Sequence, residues 1–373
     1  MATRELQAPR TPDEAAALVR QCGADGHTVR VRGSGTKIGW GTPAPDTDVE
    51  ISTSKLDDLL EHNEGDLTTI VEPGVRLDDA QKRYAKKGQM LALDPPTLGE
   101  ATIGGVLASG DSGPLRHRYG APRDLVLGMT VALSDGTVAK SGGRVIKNVA
   151  GYDIAKLFCG SFGTLGLILQ VALRLHPRPP RTVTVAARTA DPDALAKAAT
   201  DLSHSSLEKE CLDVRWEDGA GAVLVQLGGA TAEAQAHAAA ELVSGLEVEV
   251  VEKDADLWEA QRAGQRSTDA AVVRVSGLQA ELARVVRATE AAEGALVGRA
   301  ALGLSWIRVQ PDRVPELRRA LAPFPCAVLD APAELRSSLD VWDAGDGLEI
   351  ARRIKQRFDP TGTFAPGTFA GGI

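Results

Sequence analysis

Short stretches in the first half of the chain have the hydrophobic patterns of β-strands. HTVRVRG alternates polar and apolar residues, DLTTIVEPGV is a strand candidate that ends at Pro73 and Gly74, and LGLILQVALRLHP is a long strand candidate. A helix is expected before them, because Thr11 can cap it, Pro12 suits its first position and Glu14 completes a capping box. In ALSDGTVAK, Asp135 and Gly136 predict a hairpin with a tight two-residue turn of positive φ. This region is therefore predicted to consist mainly of strands.

Beyond residue 181 the pattern becomes an alternation of strands and helices. Strand patterns occur in TVTVAAR, LDVRWEDG, AVLVQLGG and LEVEVVEK, and helix patterns follow the first and the third of them. This order, β-α-β-β-α-β, is repeated in a looser form from AAVVRVSG to VPELRRALAPF. The chain then returns to a helix, LEIARRIKQRF, and a glycine-rich tail. The proline-rich PRPPR at residues 177–181 marks the expected boundary between the two regions.

Composition narrows the classes of protein that this chain can be. Its 373 residues, of which 43% are hydrophobic, suffice for about two domains with cores of their own. Lys and Arg number 42 against 50 Asp and Glu, and no basic run is interleaved with aromatics, which argues against a nucleic-acid partner. No stretch has the apolar length of a membrane span, and the N-terminus has no apolar signal segment. We expect a cytoplasmic protein, at most peripheral to the inner face of the plasma membrane.

Cysteine spacing argues against a metal site. The four cysteines lie far apart and form no C-x-x-C pair: Cys22, Cys159, Cys211 and Cys326. Zinc sites, iron–sulfur clusters and disulfide frameworks have characteristic closer spacings. The chain is therefore expected to have reduced thiols and no bound metal.

The pentapeptide GDSGP around Ser112 matches the sequence that surrounds the nucleophilic serine of trypsin-like proteases. Such a serine needs a histidine base and a carboxylate, and both precede the serine in the trypsin order. Only His27 and His62 precede Ser112, and the chain has too few hairpins before it for a two-barrel protease. We therefore interpret GDSGP as a chance match to the protease sequence.

Five glycine-dense turns follow predicted strands in the first half of the chain: RGSGT, EPGV, TIGG, ASGDSG and GSFGTLG. Glycine lets backbone N–H groups approach an anionic ligand closely, and consecutive amides in such turns form concave anion sites. None of these turns has the spacing of a P-loop or of a Rossmann fingerprint. Together they predict a long diphosphate ligand between two sub-sheets.

Several longer motifs, in their order and spacing, resemble those of a known family. They are VRVRGSGTK, TIVEPGVRLDDAQ, GQMLALDPP, ATIGGVLASGDSGPLRHRYG, DLVLGMTVALSDGTVAKSGGRVIKNVAGYDIAKLFCGSFGTLGLI and FDPTGTFAPG. These motifs resemble the vanillyl-alcohol-oxidase-type (PCMH-type) FAD-binding superfamily. Within it, KNVAGYD, LALDPP, RGSGTK and PGTFAGGI are most similar to the smaller FAD-binding subunit of bacterial glycolate oxidase.

The resemblance implies an α+β fold with three parts. A two-subdomain PCMH-type FAD-binding domain would occupy residues 1–180. A cap domain with ferredoxin-like β-α-β-β-α-β halves would follow over residues 181–340. Residues 341–373 would form a C-terminal helix and a tail that return to the FAD domain.

The resemblance also implies which residues would hold FAD. The first loop would wrap the pyrophosphate with backbone amides from Gly33, Ser34, Gly35, Thr36 and Lys37. The DPPT turn would lie along the flavin edge and the ribityl chain with Pro96 and Thr97. The second side of the diphosphate and the isoalloxazine would be lined by Thr102, Gly104, Gly105, Ala108, Ser109, Ser112 and Gly113. A last group would pack near the cofactor where the next strand begins: Gly163, Thr164, Gly166 and Ile168.

Three departures from the family pattern shape the prediction of function. Relatives often tether the flavin through a histidine in the first loop, but RGSGTK has neither His nor Cys, which predicts non-covalent FAD. Relatives that oxidise hydroxy acids carry a histidine cluster, and the six histidines of this chain form none in sequence. The tail reads FAPG where relatives commonly have F-N-P-G, so Ala365 replaces an amide side chain that could bond the flavin or the substrate.

The sequence assigns no catalytic residue. Oxidation of a hydroxy acid needs a base for the hydroxyl proton, an acceptor for hydride and a cation for the carboxylate. Candidates for the base and the cation lie in the LRHRYG turn: Arg116, His117, Arg118 and Tyr119. Loop residues of these types more often pack or pair at the surface. Lys147 and Asn148 in VIKNVAGYD are similarly ambiguous, and neither is assigned to catalysis.

Three hypotheses about function remain at this point. The resemblance favours an FAD-binding subunit of a glycolate (2-hydroxyacid) oxidase or dehydrogenase complex, beside a larger catalytic flavoprotein subunit and an iron–sulfur subunit. The alternative is a free-standing FAD-dependent oxidase or dehydrogenase of a small alcohol or hydroxy acid, which turnover by the isolated chain would reveal. The third is a scaffold that has lost the cofactor, against which the intact glycine loops argue, because a vacant site would tolerate side chains there.

Overall fold

The computed structural model describes residues 5–43, 46–143 and 153–373. The α-helices in these ranges are α1 (Pro12–Asp25), α2 (Leu77–Ala85), α3 (Ile103–Ser109), α4 (Arg116–Tyr119), α5 (Ala155–Phe158), α6 (Pro192–His204), α7 (Ala232–Leu242), α8 (Ala255–Ala263), α9 (Leu282–Ala291), α10 (Val314–Leu321), α11 (Ala333–Ser338) and α12 (Leu348–Phe358). Short 3₁₀-helices are Pro122–Leu125, Gln279–Glu281, Ala300–Leu302, Pro311–Arg313 and Ala370–Gly372. Within the described ranges, no helix combines the length and the apolar composition that crossing a bilayer requires.

The strands in these ranges are β1 (Glu5–Gln7), β2 (Val29–Arg32), β3 (Val49–Ser52), β4 (Leu59–Asn63), β5 (Thr68–Val71), β6 (Gln89–Met90), β7 (Val126–Ala132), β8 (Val138–Gly142), β9 (Leu167–Arg174), β10 (His176–Pro177), β11 (Thr182–Thr189), β12 (Lys209–Glu217), β13 (Ala220–Gly228), β14 (Glu247–Val251), β15 (Ala271–Ser276), β16 (Ala295–Arg299), β17 (Leu304–Val309) and β18 (Cys326–Asp330). The chain divides into two compact units. The first takes the described residues of 1–112, 119–178 and 344–373, and the second takes 113–118 and 179–343.

Two sheets, each with a core of its own, form most of the first unit. The smaller sheet is parallel, in the order β1-β3-β2, and buries Val19 of α1 with Val29, Ile51 and Phe364. The larger sheet is antiparallel, in the order β4-β5-β9-β7-β8, and packs against α2 and α3. Strands β6 and β10 form a separate antiparallel pair. This arrangement agrees with the predicted two-subdomain organisation.

The first helix begins where the sequence predicts. The Thr11 hydroxyl oxygen accepts a hydrogen bond from the Glu14 N–H at 3.1 Å, and Pro12 occupies the first helical position. The Glu14 carboxylate accepts from the Arg10 N–H at 2.8 Å, one residue before the cap. The first bond satisfies a backbone donor that a helix start leaves without an intrahelical partner. The second differs from the predicted capping box, in which Glu14 would accept from the N–H of Thr11 itself.

The hairpin between β7 and β8 has a longer turn than the sequence predicts. The Leu133 N–H donates to the Thr137 carbonyl at 3.0 Å, so three residues separate the paired positions. Gly136 has a φ of +76°, whereas Asp135 does not adopt a positive φ. Instead, the Asp135 carboxylate accepts from the Thr137 N–H at 2.8 Å. The predicted two-residue turn is therefore wrong, because the aspartate stabilises a turn in which only the glycine is left-handed.

The second unit is built on one eight-stranded antiparallel sheet in the order β14-β11-β13-β12-β16-β17-β15-β18. The elements β11-α6-β12-β13-α7-β14 form one ferredoxin-like half, and β15-α9-β16-β17-α10-β18 form the other. The halves join where β12 pairs with β16, and there Asp213 and Arg299 form a fully buried ion pair at 2.8 Å. The predicted α+β class with ferredoxin-like halves is confirmed. Strands β16 and β18 had no separate prediction, because ALVGR and CAVLD are too short to show a clear period.

Candidate functional site

A cavity in the first unit is lined by residues from both of its sheets. It is open to solvent on one side, and its volume is about 910 Å³ when the open space at its mouth is included. Residues 30–38 and Trp40 contribute the largest part of the lining, which also includes α3 with the loop before it and the start of β9. Ala365 and Thr368 of the C-terminal tail complete it. Distant segments of the chain therefore meet around one space.

Thirteen of the predicted cofactor residues line this cavity: Gly33, Ser34, Gly35, Thr36, Lys37, Thr102, Gly104, Gly105, Ala108, Ser109, Gly163, Gly166 and Ile168. Five other predicted residues are not in the described lining: Pro96, Thr97, Ser112, Gly113 and Thr164. Lining residues without a prediction include Arg30, Arg32, Trp40 and Phe162. The cavity is thus the place where most of the glycine-dense turns come together.

Lys37 connects three of the predicted segments through its ammonium group. Lys37 Nζ lies 3.1 Å from Asp111 Oδ2, and both side chains are buried. The same ammonium donates to Thr97 Oγ1 at 2.9 Å and to Thr36 Oγ1 at 3.3 Å. Thr97 therefore supports the first loop from outside the cavity lining. The acidic partner of Lys37 is Asp111, which was not predicted from the sequence. The one feature that could have indicated it is a carboxylate within a glycine-dense turn.

The remaining predicted residues do not belong to the described cavity lining. Ser112 is buried, and its N–H donates to Asp111 Oδ1 at 3.0 Å. Gly113 belongs to the second unit. Thr164 donates from its hydroxyl to the Ser161 carbonyl at 2.7 Å. Pro96 precedes Thr97, whose hydroxyl oxygen accepts from Lys37.

The first loop has backbone donors that the protein itself does not use. Within the described part of the chain, the amides of Gly33, Ser34 and Gly35 donate to no protein acceptor. Gly35 has a φ of +84°, a conformation that glycine adopts without steric cost. Consecutive amides of this kind form a concave site for an anion.

The TIGG turn also lines the cavity, but its amides are already bonded. The N–H groups of Ile103, Gly104 and Gly105 donate to the Val75 carbonyl at 2.9 Å, the Pro73 carbonyl at 2.8 Å and Thr102 Oγ1 at 3.2 Å, respectively. A Cβ on Gly104 would lie 2.5 Å from Pro73 Cβ, whereas a Cβ on Gly105 would meet only Thr102 Oγ1, at 3.0 Å. Gly104 therefore permits close backbone packing, and Gly105 leaves space in the cavity. The general expectation that these glycines present amides to a ligand does not hold here.

The ionisable side chains among the described lining residues are cationic: Arg30, Arg32 and Lys37. The two arginines are two residues apart on β2, so they lie on the same face of the strand. Arg32 Nη1 lies 3.0 Å from Glu50 Oε1, and the Arg30 guanidinium donates to the Ile38 carbonyl. The positive lining favours an anionic ligand.

The C-terminal tail is held against the cavity by Lys355 of α12. Lys355 Nζ donates to the Thr164 carbonyl at 2.8 Å, the Phe364 carbonyl at 2.7 Å and Asp359 Oδ2 at 2.6 Å. Burial lowers the pKa of Lys355, and Asp359 opposes this shift. Ala365 follows with a φ of +40°, a conformation that costs alanine more than asparagine. The tail therefore reaches the cavity in a strained conformation that this network maintains.

Three candidates from the LRHRYG turn belong to the second unit: Arg116, His117 and Arg118. Arg118 Nη1 lies 3.2 Å from Glu210 Oε1. Burial, together with the charges of Lys209 and Arg118, lowers the pKa of His117 to about 4, so its imidazole is neutral at pH 7. None of the three is among the described residues that line the cavity. Arg118 thus pairs with a carboxylate, which is the alternative to a catalytic role that the sequence analysis gave for residues of this turn.

Tyr119, the last candidate of that turn, packs against His176 in the first unit with ring centroids 4.6 Å apart. It does not belong to the described cavity lining. Lys147 and Asn148, with most of the KNVAGYD motif, lie outside the described residues. The described residues thus supply no assignment for the catalytic base.

Residues 5–142 match a family model described as an FAD binding domain. That range contains the first loop, the TIGG turn and the cationic face of β2. This part of the chain therefore resembles the FAD binding domains that the model describes. The cofactor predicted from the sequence, FAD, is confirmed at the level of this domain.

Curated relatives extend the match beyond this domain. The chain is 34% identical over 195 residues to glycolate oxidase subunit GlcD of Bacillus subtilis (strain 168), covering 52% of this chain and 42% of the relative. It is 30% identical over 212 residues to glycolate oxidase subunit GlcE of Escherichia coli (strain K12), covering 55% and 60%. It is also 31% identical over 189 residues to D-2-hydroxyglutarate dehydrogenase of Stutzerimonas stutzeri (strain A1501), covering 50% and 40%. The chain thus spans about half the length of the curated relatives it matches.

Solved structures show the same fold over nearly the whole chain. Two structures of alkyldihydroxyacetonephosphate synthase match with TM-scores of 0.69 and 0.71, and each covers 96% of this chain. The matches cover 75% and 76% of those chains at 15% sequence identity. At this identity the likeness establishes the fold and leaves the substrate open.

Proposed function

We propose that this FAD-binding chain is a subunit of an oxidoreductase complex that oxidises glycolate or a related 2-hydroxy acid. The observation that carries the proposal is the juxtaposition, in one cavity, of the amides of Gly33, Ser34 and Gly35 with cationic side chains on β2 and the first loop. A diphosphate needs backbone donors and positive charge together. The names of two relatives, both glycolate oxidase subunits, support the substrate class.

The residues of the cavity fit FAD by their chemistry and by the space between them. The three amides would hold the diphosphate, Arg30 and Arg32 would balance its charge, and Gly105 would leave room for the rest of the cofactor. FAD, when bound, supplies the acceptor for the hydride that leaves the hydroxyl-bearing carbon. The protein's contribution is to bind the cofactor, to orient it and to exclude water around it.

We further propose that partner polypeptides provide the base and the exit for electrons. The ionisable groups of the described lining are two arginines and a lysine, which are side chains suited to holding anions and not the usual general bases. In the proposed complex, a larger catalytic flavoprotein subunit would activate the substrate, and an iron–sulfur subunit would receive the electrons. This chain would then contribute its flavin and a docking surface on the second unit.

The cofactor proposal is tested by purifying the chain and measuring its flavin absorbance. We expect bound FAD, and acid precipitation should release all the yellow colour to the supernatant, because the first loop has no residue that tethers flavin. Colour that stays in the pellet would contradict non-covalent binding. Failure to take up FAD, even after reconstitution of the apoprotein, would contradict the proposed function.

The complex is tested by anaerobic mixing with glycolate or D-lactate. The isolated chain should show negligible bleaching of its flavin, and turnover should appear on co-expression with the products of the neighbouring genes. A Gly105→Val chain in the same co-expression is the control for dependence on this cofactor site. Rapid bleaching in the isolated chain would instead favour a free-standing oxidase or dehydrogenase.

A further inference from the structure

Two aromatic side chains, Trp40 and Phe162, line one part of the cavity, and we refer to them as the aromatic wall. We propose that the aromatic wall stacks against the adenine ring of FAD and makes the site selective for the dinucleotide over FMN. This inference rests on the proposed function, because it assumes that FAD occupies the cavity. It adds an assignment for side chains that the glycine motifs do not include.

The geometry of the aromatic wall suits a planar ring. The ring centroids of Trp40 and Phe162 lie 6.4 Å apart, and the ring planes are inclined by 44°. Phe369 stacks on Phe162 with centroids 5.6 Å apart and an interplanar angle of 26°, so Phe162 is supported by a second ring. A further aromatic ring can pack in offset or tilted contact with such a pair.

The position of the aromatic wall along the first loop favours adenine over the isoalloxazine. In FAD a single ribose joins adenine to the diphosphate, whereas the longer ribityl chain joins the flavin ring to it. The loop after Gly35 is compact, because the Ile38 N–H donates to the Gly35 carbonyl and the Trp40 N–H donates to the Lys37 carbonyl, both at 3.1 Å. Trp40 therefore stays close to the amides proposed for the diphosphate. The ring nearer to the diphosphate is adenine.

The charges around Trp40 support the same assignment. Lys37 Nζ lies 6.0 Å from the centroid of the Trp40 ring and is anchored by Asp111. The Arg30 guanidinium donates to the Ile38 carbonyl, two residues before Trp40. An indole with a cation near its ring is well placed for a base that carries an anionic diphosphate beside it.

The test compares FAD and FMN binding to the apoprotein of the full chain by flavin fluorescence titration. Trp40→Leu should weaken FAD binding about tenfold, within the range measured for stacking of a base on an aromatic side chain. FMN, which lacks adenine, should bind Trp40→Leu and the wild-type chain equally well. Trp40→Phe should restore most of the FAD affinity, because it keeps an aromatic ring. Phe369→Leu should weaken FAD binding less than Trp40→Leu does, since Phe369 supports Phe162 without belonging to the described lining.

Different outcomes identify different errors. Equal weakening of FAD and FMN would show that the aromatic wall contacts the flavin ring, and unchanged FAD binding would show no stacking; either result overturns the inference. If the wild-type chain bound neither FAD nor FMN, the proposed function itself would fail.

A second measurement covers the case in which Trp40→Leu does not fold. Trp40 is the single tryptophan outside residues 179–343 in the sequence. The difference in tryptophan fluorescence between the wild-type chain and Trp40→Phe is therefore the emission of Trp40. ADP, which carries the adenine half of FAD, should quench this emission. An ADP titration that leaves this part of the emission unchanged would overturn the inference.

Discussion

The first loop and the TIGG turn line the same cavity with the same type of residue, but glycine has a different role in each. In the first loop, Gly33 and Gly35 have amides without a protein acceptor. In TIGG, the amides of Gly104 and Gly105 are bonded to Pro73 and Thr102. The first loop can thus bind an anion through its backbone, whereas TIGG contributes the absence of side chains.

The comparison teaches that glycine density indicates where a ligand approaches the backbone, and leaves open which atoms contact it. Both turns satisfy the rule that glycine permits close approach. Only the hydrogen-bond partners in the folded chain separate a donor site from a packing site. The following predictions test that separation, from the largest expected effect to the smallest.

Gly104→Ala should destabilise the first unit by about 3 kcal/mol, because overpacking of a tight contact with Pro73 requires backbone movement. Thermal unfolding of the apoprotein measures this. Gly99→Ala is the control, since a Cβ there meets no atom within 4 Å. Equal stability of the two variants would show that TIGG is not tightly packed on Pro73.

Gly105→Val should leave the chain folded and weaken FAD binding about 100-fold, equivalent to about 2.7 kcal/mol, because its side chain would occupy the cavity. Gly105→Ala should weaken FAD binding less, and should raise the stability of the apoprotein by about 0.5 kcal/mol through helix propensity. Titration with FAD and thermal unfolding separate the two effects. Purification of Gly105→Val with full flavin occupancy would mean that TIGG does not face the cofactor.

Gly35→Ala should lower the stability of the first unit by about 1 to 2 kcal/mol, because alanine is strained at a φ of +84°. FAD affinity should fall as well, since the neighbouring amides shift with the backbone. Gly39→Ala, in the same loop, has open space around the new Cβ and no positive φ, and should behave as the wild-type chain. If Gly35→Ala kept full FAD affinity, the loop amides would not be the diphosphate site.

Thr102→Ala should cost about 1 kcal/mol of stability, because Thr102 Oγ1 accepts the Gly105 N–H at the start of α3. FAD affinity should stay within about twofold, about 0.4 kcal/mol, because TIGG supplies space and not donors. Thr102→Ser should retain the stability. A large loss of FAD affinity in Thr102→Ala without a loss of stability would assign Thr102 a direct contact with the cofactor.

Local signals in the sequence were sufficient for much of the fold. The cap at Thr11, the strand VRVR before the first loop and the helix LEIARRIKQRF all appear at their predicted places. The β-α-β-β-α-β order was predictable in the first half of the second unit, where each element has its own period and length, whereas β16 and β18 of the second half were missed because they are short. The turn at Asp135 was not, because its length depends on a side-chain hydrogen bond.

The site was predictable where it depends on glycine turns at strand ends, since these are local features. Arg30 and Arg32 were missed because the polar residues of an alternating strand usually face solvent. In the folded chain these two side chains line a cavity that is completed by residues from the larger sheet. Their spacing of two residues ahead of a glycine loop was the available signal. Trp40 and Phe162 are isolated in sequence, so their proximity depends entirely on tertiary structure.

Lys355 and the tail it holds also constrain when the cofactor can be enclosed during synthesis. The lining of the cavity begins at Arg30, but Ala365 and Thr368 emerge from the ribosome only after the whole of residues 179–343 has been made. A nascent chain that has not reached Lys355 lacks the bonds that fix the tail. We therefore expect the chain to bind FAD fully only after both units have been translated. The supply of FAD would then affect the folding of the finished chain and not its translation.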